Sequence, residues 1–75
     1  MSFDPFRRMR WVSPAVGRSP SMIYQDIKDG LFPPPDAKLG NAPNSPNVWR
    51  ESTIARYQDE REAVTQAERE QQAAA

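Results

Sequence analysis

Cysteine and histidine are both missing from this 75-residue chain. Without cysteine there is no disulfide framework and no thiolate metal site. Without histidine the usual metal ligand and the usual general base go as well. The acidic pairs Asp26/Asp29 and Glu60/Glu62 have no histidine or nearby nucleophile, so no catalytic arrangement, metal site or cofactor is expected and the chain does not read as an enzyme. Long apolar runs are missing too. Hydrophobic residues make up 37% of the chain, and no stretch approaches the roughly 18 consecutive apolar residues that a membrane-spanning helix needs. The basic residues near the N-terminus have no apolar signal core behind them, which gives the expectation of a cytoplasmic protein. A chain this short buries only about 60% of its unfolded surface, so its core is marginal and every buried aromatic counts. The first two-thirds nonetheless hold too many aromatics for a wholly disordered segment.

An excess of either charge is also lacking, with ten basic and ten acidic residues. The distribution is uneven, however. Residues 1–58 carry eight basic side chains (Arg7, Arg8, Arg10, Arg18, Lys28, Lys38, Arg50, Arg56) against five acidic ones (Asp4, Asp26, Asp29, Asp36, Glu51), a net +3. Residues 59–75 carry Arg61 and Arg69 against Asp59, Glu60, Glu62, Glu68 and Glu70, a net −3. A modestly basic module joined to an acidic tail is a different object from a neutral protein.

Glycine is scarce, at three, and proline is plentiful, at eight; together they punctuate the chain. Residues 1–9 read as a basic arm, in which Phe3 and Phe6 tuck onto the core, and Arg7, Arg8 and the adjoining Arg10 form a small basic cluster. Ser13-Pro14 is a capping serine followed by a proline suited to the first helical position. Gly17 follows three residues later, so the first helix is expected to be short, bent or partly 3₁₀. A start near Arg10 would put Pro14 inside the helix at a cost of about 3 kcal/mol. Ser19-Pro20 repeats the cap-then-proline signal. The run to Asp29 then has helical spacing, with Ile23 and Ile27 four apart and Met22 and Tyr24 beside them. Gly30 stops that helix, and Pro33-Pro34-Pro35 forces an extended exit.

Residues 36–50 read as a loose hairpin. Ala37-Lys38-Leu39 and Asn47-Val48-Trp49 form its strands, and the intervening Gly40-Asn41-Ala42-Pro43-Asn44-Ser45-Pro46 is turn chemistry. From Glu51 the chain is helical, with Ile54, Tyr57 and Val64 on one face, and residues 65–75 form a polar tail that frays. The expected domain therefore spans residues 10–64. Its core is expected from Ile23, Ile27, Leu31, Phe32 and Ile54, with Trp49 as a lid beneath the hairpin and Tyr24 as core with its hydroxyl at the rim. The fold class is mainly α with a small β-hairpin: a winged helix-turn-helix, in which a short helix, a turn and a capped second helix precede the wing.

In that arrangement the first residues of the second helix enter the DNA major groove. Here these are Arg18, Ser19, Ser21, Met22 and Gln25. Helix N-terminal amides bind phosphate, serine hydroxyls contact phosphates or bases, and glutamine pairs bidentately with adenine. Met22 is placed to meet a thymine methyl, while Asp26 is expected to point sideways. Tyr24, Lys28 and Arg50, the arm residues Arg7, Arg8 and Arg10, and Lys38, Asn41 and Asn44 of the wing complete the expected DNA contacts. Plainer readings stand beside these: a solvated arm, and turn formers in the wing.

The stretch Gly17-Arg18-Ser19-Pro20-Ser21-Met22-Ile23-Tyr24-Gln25-Asp26-Ile27-Lys28-Asp29-Gly30-Leu31-Phe32-Pro33 resembles the AlpA/excisionase family of phage and mobile-element regulators. That family's recognition helix typically reads Gly-x-Ser-x-Ser/Thr-x-Ile-Tyr followed by Ile-Lys-x-Gly-x-Phe-Pro. Val48-Trp49-Arg50-Glu51-Ser52, with Ile54 and Tyr57, is similar to the family's tryptophan-led opening of the last helix. The resemblance covers roughly residues 8–60 and extends to the MerR-like winged-helix modules. It implies site-specific binding of double-stranded DNA and either transcriptional control or a recombination directionality factor that deforms DNA beside an attachment site so that a tyrosine or serine integrase excises the element; the small DNA-facing area and net +3 give the expectation of several copies side by side. Alternatives are an AlpA-type transcriptional regulator and an adaptor that binds a protein through its C-terminal helix. The sequence departs from the family pattern at Pro14, at Pro20, where a DNA-facing arginine is common, and in a longer, less basic wing.

Overall fold

A computed structural model describes residues 3–74; Met1 and Ser2 of the expected arm and Ala75 of the expected tail lie outside them. The elements run β1 (Phe6–Arg8), α1 (Met9–Val16), α2 (Pro20–Lys28), β2 (Ala37–Lys38), β3 (Asn47–Arg50) and α3 (Glu51–Ala74). The result is a small α+β domain, mostly helical, with one three-stranded antiparallel sheet in the order β1-β3-β2.

The middle strand is β3, the most apolar of the three. Val48 and Trp49 are both buried, and Trp49 is opposite Arg7 on one side while Val48 is flanked by Arg8 and Ala37. Because side chains alternate along a strand, Trp49 and Val48 leave opposite faces. Trp49 goes to the face covered by helices, where Val12, Ile23, Phe32 and Ile54 close around it, with Met9, Trp11, Ala15, Val16, Ile27 and Tyr57 at the margin. Its indole N–H donates to the Pro33 carbonyl at 3.0 Å, and its ring meets Phe32 edge-on at 6.2 Å between centroids. Phe32 also contacts Tyr57 at 4.6 Å.

Several expectations are corrected here. The basic arm contains strand β1, held to β3 along its length. Phe3 and Phe6 stay out of the core at 90% and 43% exposure; Phe6 instead lies under the Arg50 guanidinium, 4.8 Å from the ring centroid. Leu31, expected as core, is 67% exposed, because the chain turns over at Gly30 and sends Phe32 inward in its place. Tyr24 is 48% exposed, so it stands on the outside of α2 and not in the core. Helix α1 starts at Met9 and carries Pro14 inside it. The cost is contained because Pro14 is in the last turn. The one bond it removes is to the carbonyl of Arg10, an exposed residue. Helix α3 runs from Glu51 to Ala74.

The helix ends follow local chemistry. Gly17 and Gly30 take the left-handed conformation, φ +71° and +77°. At the end of α2 the Leu31 N–H reaches the Asp26 carbonyl at 2.7 Å and the Gly30 N–H reaches Ile27 at 3.2 Å, a Schellman closure. Helix α3 begins directly after β3 and draws its cap from the other end of the chain. The Asp4 carboxylate accepts the Ser52 N–H at 3.1 Å and the Ser52 hydroxyl at 2.6 Å, and the Pro5 carbonyl accepts the Glu51 N–H at 3.2 Å.

Two outcomes follow for stability. Trp49→Ala removes the centre of the core at a cost of about 3–5 kcal/mol, against a total of about 4–11 kcal/mol for a domain of this length. A thermal melt is expected to show an unfolded or nearly unfolded chain. For the Asp4 cap, the hydroxyl and amide of Ser52 hold the carboxyl below its ordinary value of 3.8, with Arg50 assisting. A depressed folded-state value stabilises the fold above the ordinary aspartate range, and this is lost as pH falls through the folded value. Asp4→Asn is therefore expected to melt below the parent at neutral pH, with the gap closing below about pH 4; a gap that persists unchanged into acid contradicts the charged cap.

Candidate nucleic-acid interface

Helix α2 follows α1 after a turn of three residues, 17–19, and that turn is tightly fixed. The Ser13 carbonyl accepts from the Gly17 and Arg18 N–H groups at 2.9 and 3.2 Å, while the Ser13 hydroxyl donates to the Arg18 carbonyl at 2.5 Å. Gln58 of α3 donates to the Ala15 carbonyl at 2.8 Å, tying the end of α1 to the long helix. Ser19 caps α2 as its sequence indicates, accepting the Met22 N–H at 3.4 Å, with Pro20 at the first position. Pro20 has no N–H, and the Ile23 N–H goes to the Ser19 carbonyl at 3.0 Å. That leaves the Ser21 N–H as the first-turn donor without a partner among the described residues, so anion binding by backbone here is limited to one amide.

Ile23 anchors the inner face of α2 and is fully buried, with Ile27 partly so. The outer face presents Ser21, Met22, Gln25 and Lys28, with Tyr24 beside them, all exposed. Six of the sequence-predicted residues thus fall on one helix surface: Ser19, Ser21, Met22, Tyr24, Gln25 and Lys28. Arg18 does not join them freely. Its Nε lies 2.7 Å from Asp26 Oδ2 without a straight N–H···O line, and Nη2 donates to Oδ1 at 3.4 Å, so charge holds the pair more than directed bonding does. Asp26 is turned sideways into this pair, its side chain only 14% exposed.

The remaining predicted residues are dispersed. Arg7 shares a strand face with Trp49 and is engaged inward: its guanidinium meets the Glu51 carboxylate and lies 5.2 Å from the Trp11 ring centroid. Arg8 and Arg50 leave the opposite face of the sheet, and Arg50 donates to the Asp4 carbonyl at 3.2 Å. Arg10 is exposed on α1. Lys38 pairs with Asn47 on the Trp49 face, so the sheet separates it from Arg8 and Arg50. Asn41 and Asn44 are exposed in the hairpin loop.

The acidic residues of the body are more telling than the basic ones. Asp4 caps α3, Asp36 accepts the Arg50 N–H at 2.8 Å, Asp26 holds Arg18, Glu51 holds Arg7, and Asp29 accepts the Gln25 amide. All five carboxylates of residues 1–58 are occupied. They engage two of the eight cations in ion pairs; Arg8, Arg10, Lys28, Lys38, Arg50 and Arg56 stand outside the ion pairs of the described residues and are exposed. Arg56 was not singled out by the sequence reading; its position on the last helix gives no signal of exposure without the fold. Asp29 was also missed as a partner of Gln25, although the four-residue spacing on a helix carries that signal.

No helix among the described residues is long and apolar enough to cross a membrane. No family model, curated protein or solved structure matches the chain significantly.

The Arg18–Asp26 pair separates stability from binding. Arg18→Ala leaves Asp26 half-buried without its cation and is expected to lower stability by about 1 kcal/mol. Double replacement with Asp26→Asn should recover most of that loss in a urea titration. A single variant as stable as the parent would show that Arg18 is not held by the fold.

Proposed function

We propose that this chain is a winged helix-turn-helix DNA-binding protein. The observation that carries this reading is α2: a capped helix, fixed by a three-residue turn and anchored by buried Ile23, whose outer face exposes Ser21, Met22, Gln25 and Lys28, in a fold that also carries the β2–β3 hairpin. In this reading the outer face of α2 enters the major groove, the hairpin is the wing, and the exposed cations follow the phosphates. The resemblance to the AlpA/excisionase family then favours a cytoplasmic recombination directionality factor. It would bind beside an attachment site and bend the DNA for an integrase. A module of this size covers about 600–1,000 Å² of DNA-facing surface, and its net +3 supplies modest phosphate attraction; several copies side by side make up the affinity.

A second reading is favoured by α3. Every residue from Asp59 to Ala73 is exposed. The Cα radius of gyration is 14.8 Å, against about 11 Å for a compact chain of this length, so the helix projects from the body. An acidic projecting helix suits a protein partner, whether the integrase or an unrelated protein reached by an adaptor.

Binding to duplex DNA is expected to weaken with salt by about 0.9 units of log–log slope per phosphate contact. Replacing Arg8 and Arg10 together by alanine should flatten that slope by up to about two units, because Arg7 is committed to Glu51 and adds little. Ser21→Ala and Gln25→Ala should each weaken specific binding by about 1–3 kcal/mol at unchanged circular dichroism. Truncation after Val64 should leave DNA affinity equal or slightly higher. Truncation that abolishes binding, with the arginine pair immaterial, would move the functional surface to α3.

A further inference from the structure

We infer that Asp29 is a positioning residue that sets Gln25 to read adenine in preference to guanine, an inference that rests on α2 being the groove-entering helix. Gln25 Nε2 donates to Asp29 Oδ1 at 3.1 Å and to Oδ2 at 3.2 Å, one helical turn along the same exposed face. An ionised carboxylate only accepts hydrogen bonds. Reversing the Gln25 amide would therefore set its carbonyl oxygen against two carboxylate oxygens, and the orientation of the amide is fixed where a solitary glutamine could take either.

Asp29 is itself well placed to do this. It is the C-terminal cap of α2, its N–H bonded to the Gln25 carbonyl at 3.0 Å, and Gly30 and Leu31 close the helix immediately after it. It also lies at the C-terminal end of α2, away from Ser19 and Ser21 at the other end. One Gln25 N–H is spent on Asp29. The other N–H and Oε1 of this exposed residue have no partner among the described residues and remain as a donor and an acceptor for a base edge.

The major-groove edge of adenine offers an acceptor, N7, beside a donor, the N6 amino group; guanine offers two acceptors, N7 and O6. The held amide matches adenine at both atoms. Against guanine it puts Oε1 in front of O6, acceptor against acceptor. A Gln25 released from Asp29 can rotate and turn its amino group toward the guanine acceptors. Asp29 therefore governs discrimination without touching DNA, as an outer group orients an inner one in any preorganised site.

The test is selection from a randomised duplex pool with the parent chain, Gln25→Ala, Asp29→Ala and Asp29→Glu, each checked by circular dichroism and a thermal melt. The parent pool is expected to favour adenine over guanine at one position by about ten-fold or more. Gln25→Ala should lose that preference and keep the others. Asp29→Ala should retain DNA binding and the preferences elsewhere while the adenine-to-guanine ratio at that position falls toward one. Asp29→Glu, whose longer side chain still brings a carboxylate to the Gln25 amide, should restore much of it. An Asp29→Ala pool that keeps the full ratio, where Gln25→Ala abolishes it, overturns the positioning role and leaves the DNA-binding reading intact. A Gln25→Ala pool identical to the parent's overturns the adenine contact. A parent chain that enriches no sequence overturns the DNA-binding reading itself, and this inference with it.

Discussion

The indole of Trp49 is the group around which the rest of the molecule is arranged. It sits on the central strand, fully buried, with its ring against Phe32 and its N–H bonded to the carbonyl of Pro33. A buried donor without a partner would cost about as much as the packing gains from a methylene or two. The Pro33 bond therefore ties the proline exit from α2 to the sheet, as well as satisfying one atom. Ile23 closes over the same group, so the orientation of α2 relative to the hairpin is settled by the packing of Trp49. With six buried hydrophobic residues among the described ones, no second cluster could take over that part.

Charge is used in two separate ways. Carboxylates in the body are committed to backbone amides, to Ser52, to Gln25, or to Arg7 and Arg18. That leaves six exposed cations outside the ion pairs of the described residues, and a module whose net charge of +3 understates its cationic surface. The acidic residues beyond Asp59 are carried on the exposed part of α3. Interactions between exposed charges are screened over roughly 8–10 Å at physiological salt, and α3, at 24 residues, is about 36 Å long. The far end of the helix is thus electrostatically independent of much of the body.

Much of the local structure was legible because its causes are local. Ser19-Pro20 capped and opened a helix, Gly30 ended it in a left-handed residue, and the residues between Leu39 and Pro46 turned between two short strands, as their side chains and fixed φ angles require. Trp49 and Ile54 were recognisable as core from their size and spacing, and Asp26 as a residue that avoids the outer face. What failed to show was whatever depends on a distant partner. Phe6–Arg8 looked like an arm because three residues carry no strand periodicity; they become a strand only because β3 offers an unpaired edge. Leu31 and Phe32 are both apolar neighbours after a glycine, and only the direction of the turn decides which of them goes in.

The sequence by itself determined the helix boundaries around α2, the hairpin loop, the absence of cysteine and histidine chemistry, and the split between a basic body and an acidic end. Each of these follows from backbone preferences or from composition, and neither needs a third dimension. Tertiary structure alone decided that Pro14 sits within α1 and that Asp4 caps a helix 47 residues later in the chain. It also decided that Arg7 and Arg18 are drawn into ion pairs while Arg8 and Arg10 are left out. Which of several similar cations meets a carboxylate is a matter of distances across the fold, over which the order of residues along the chain has little say.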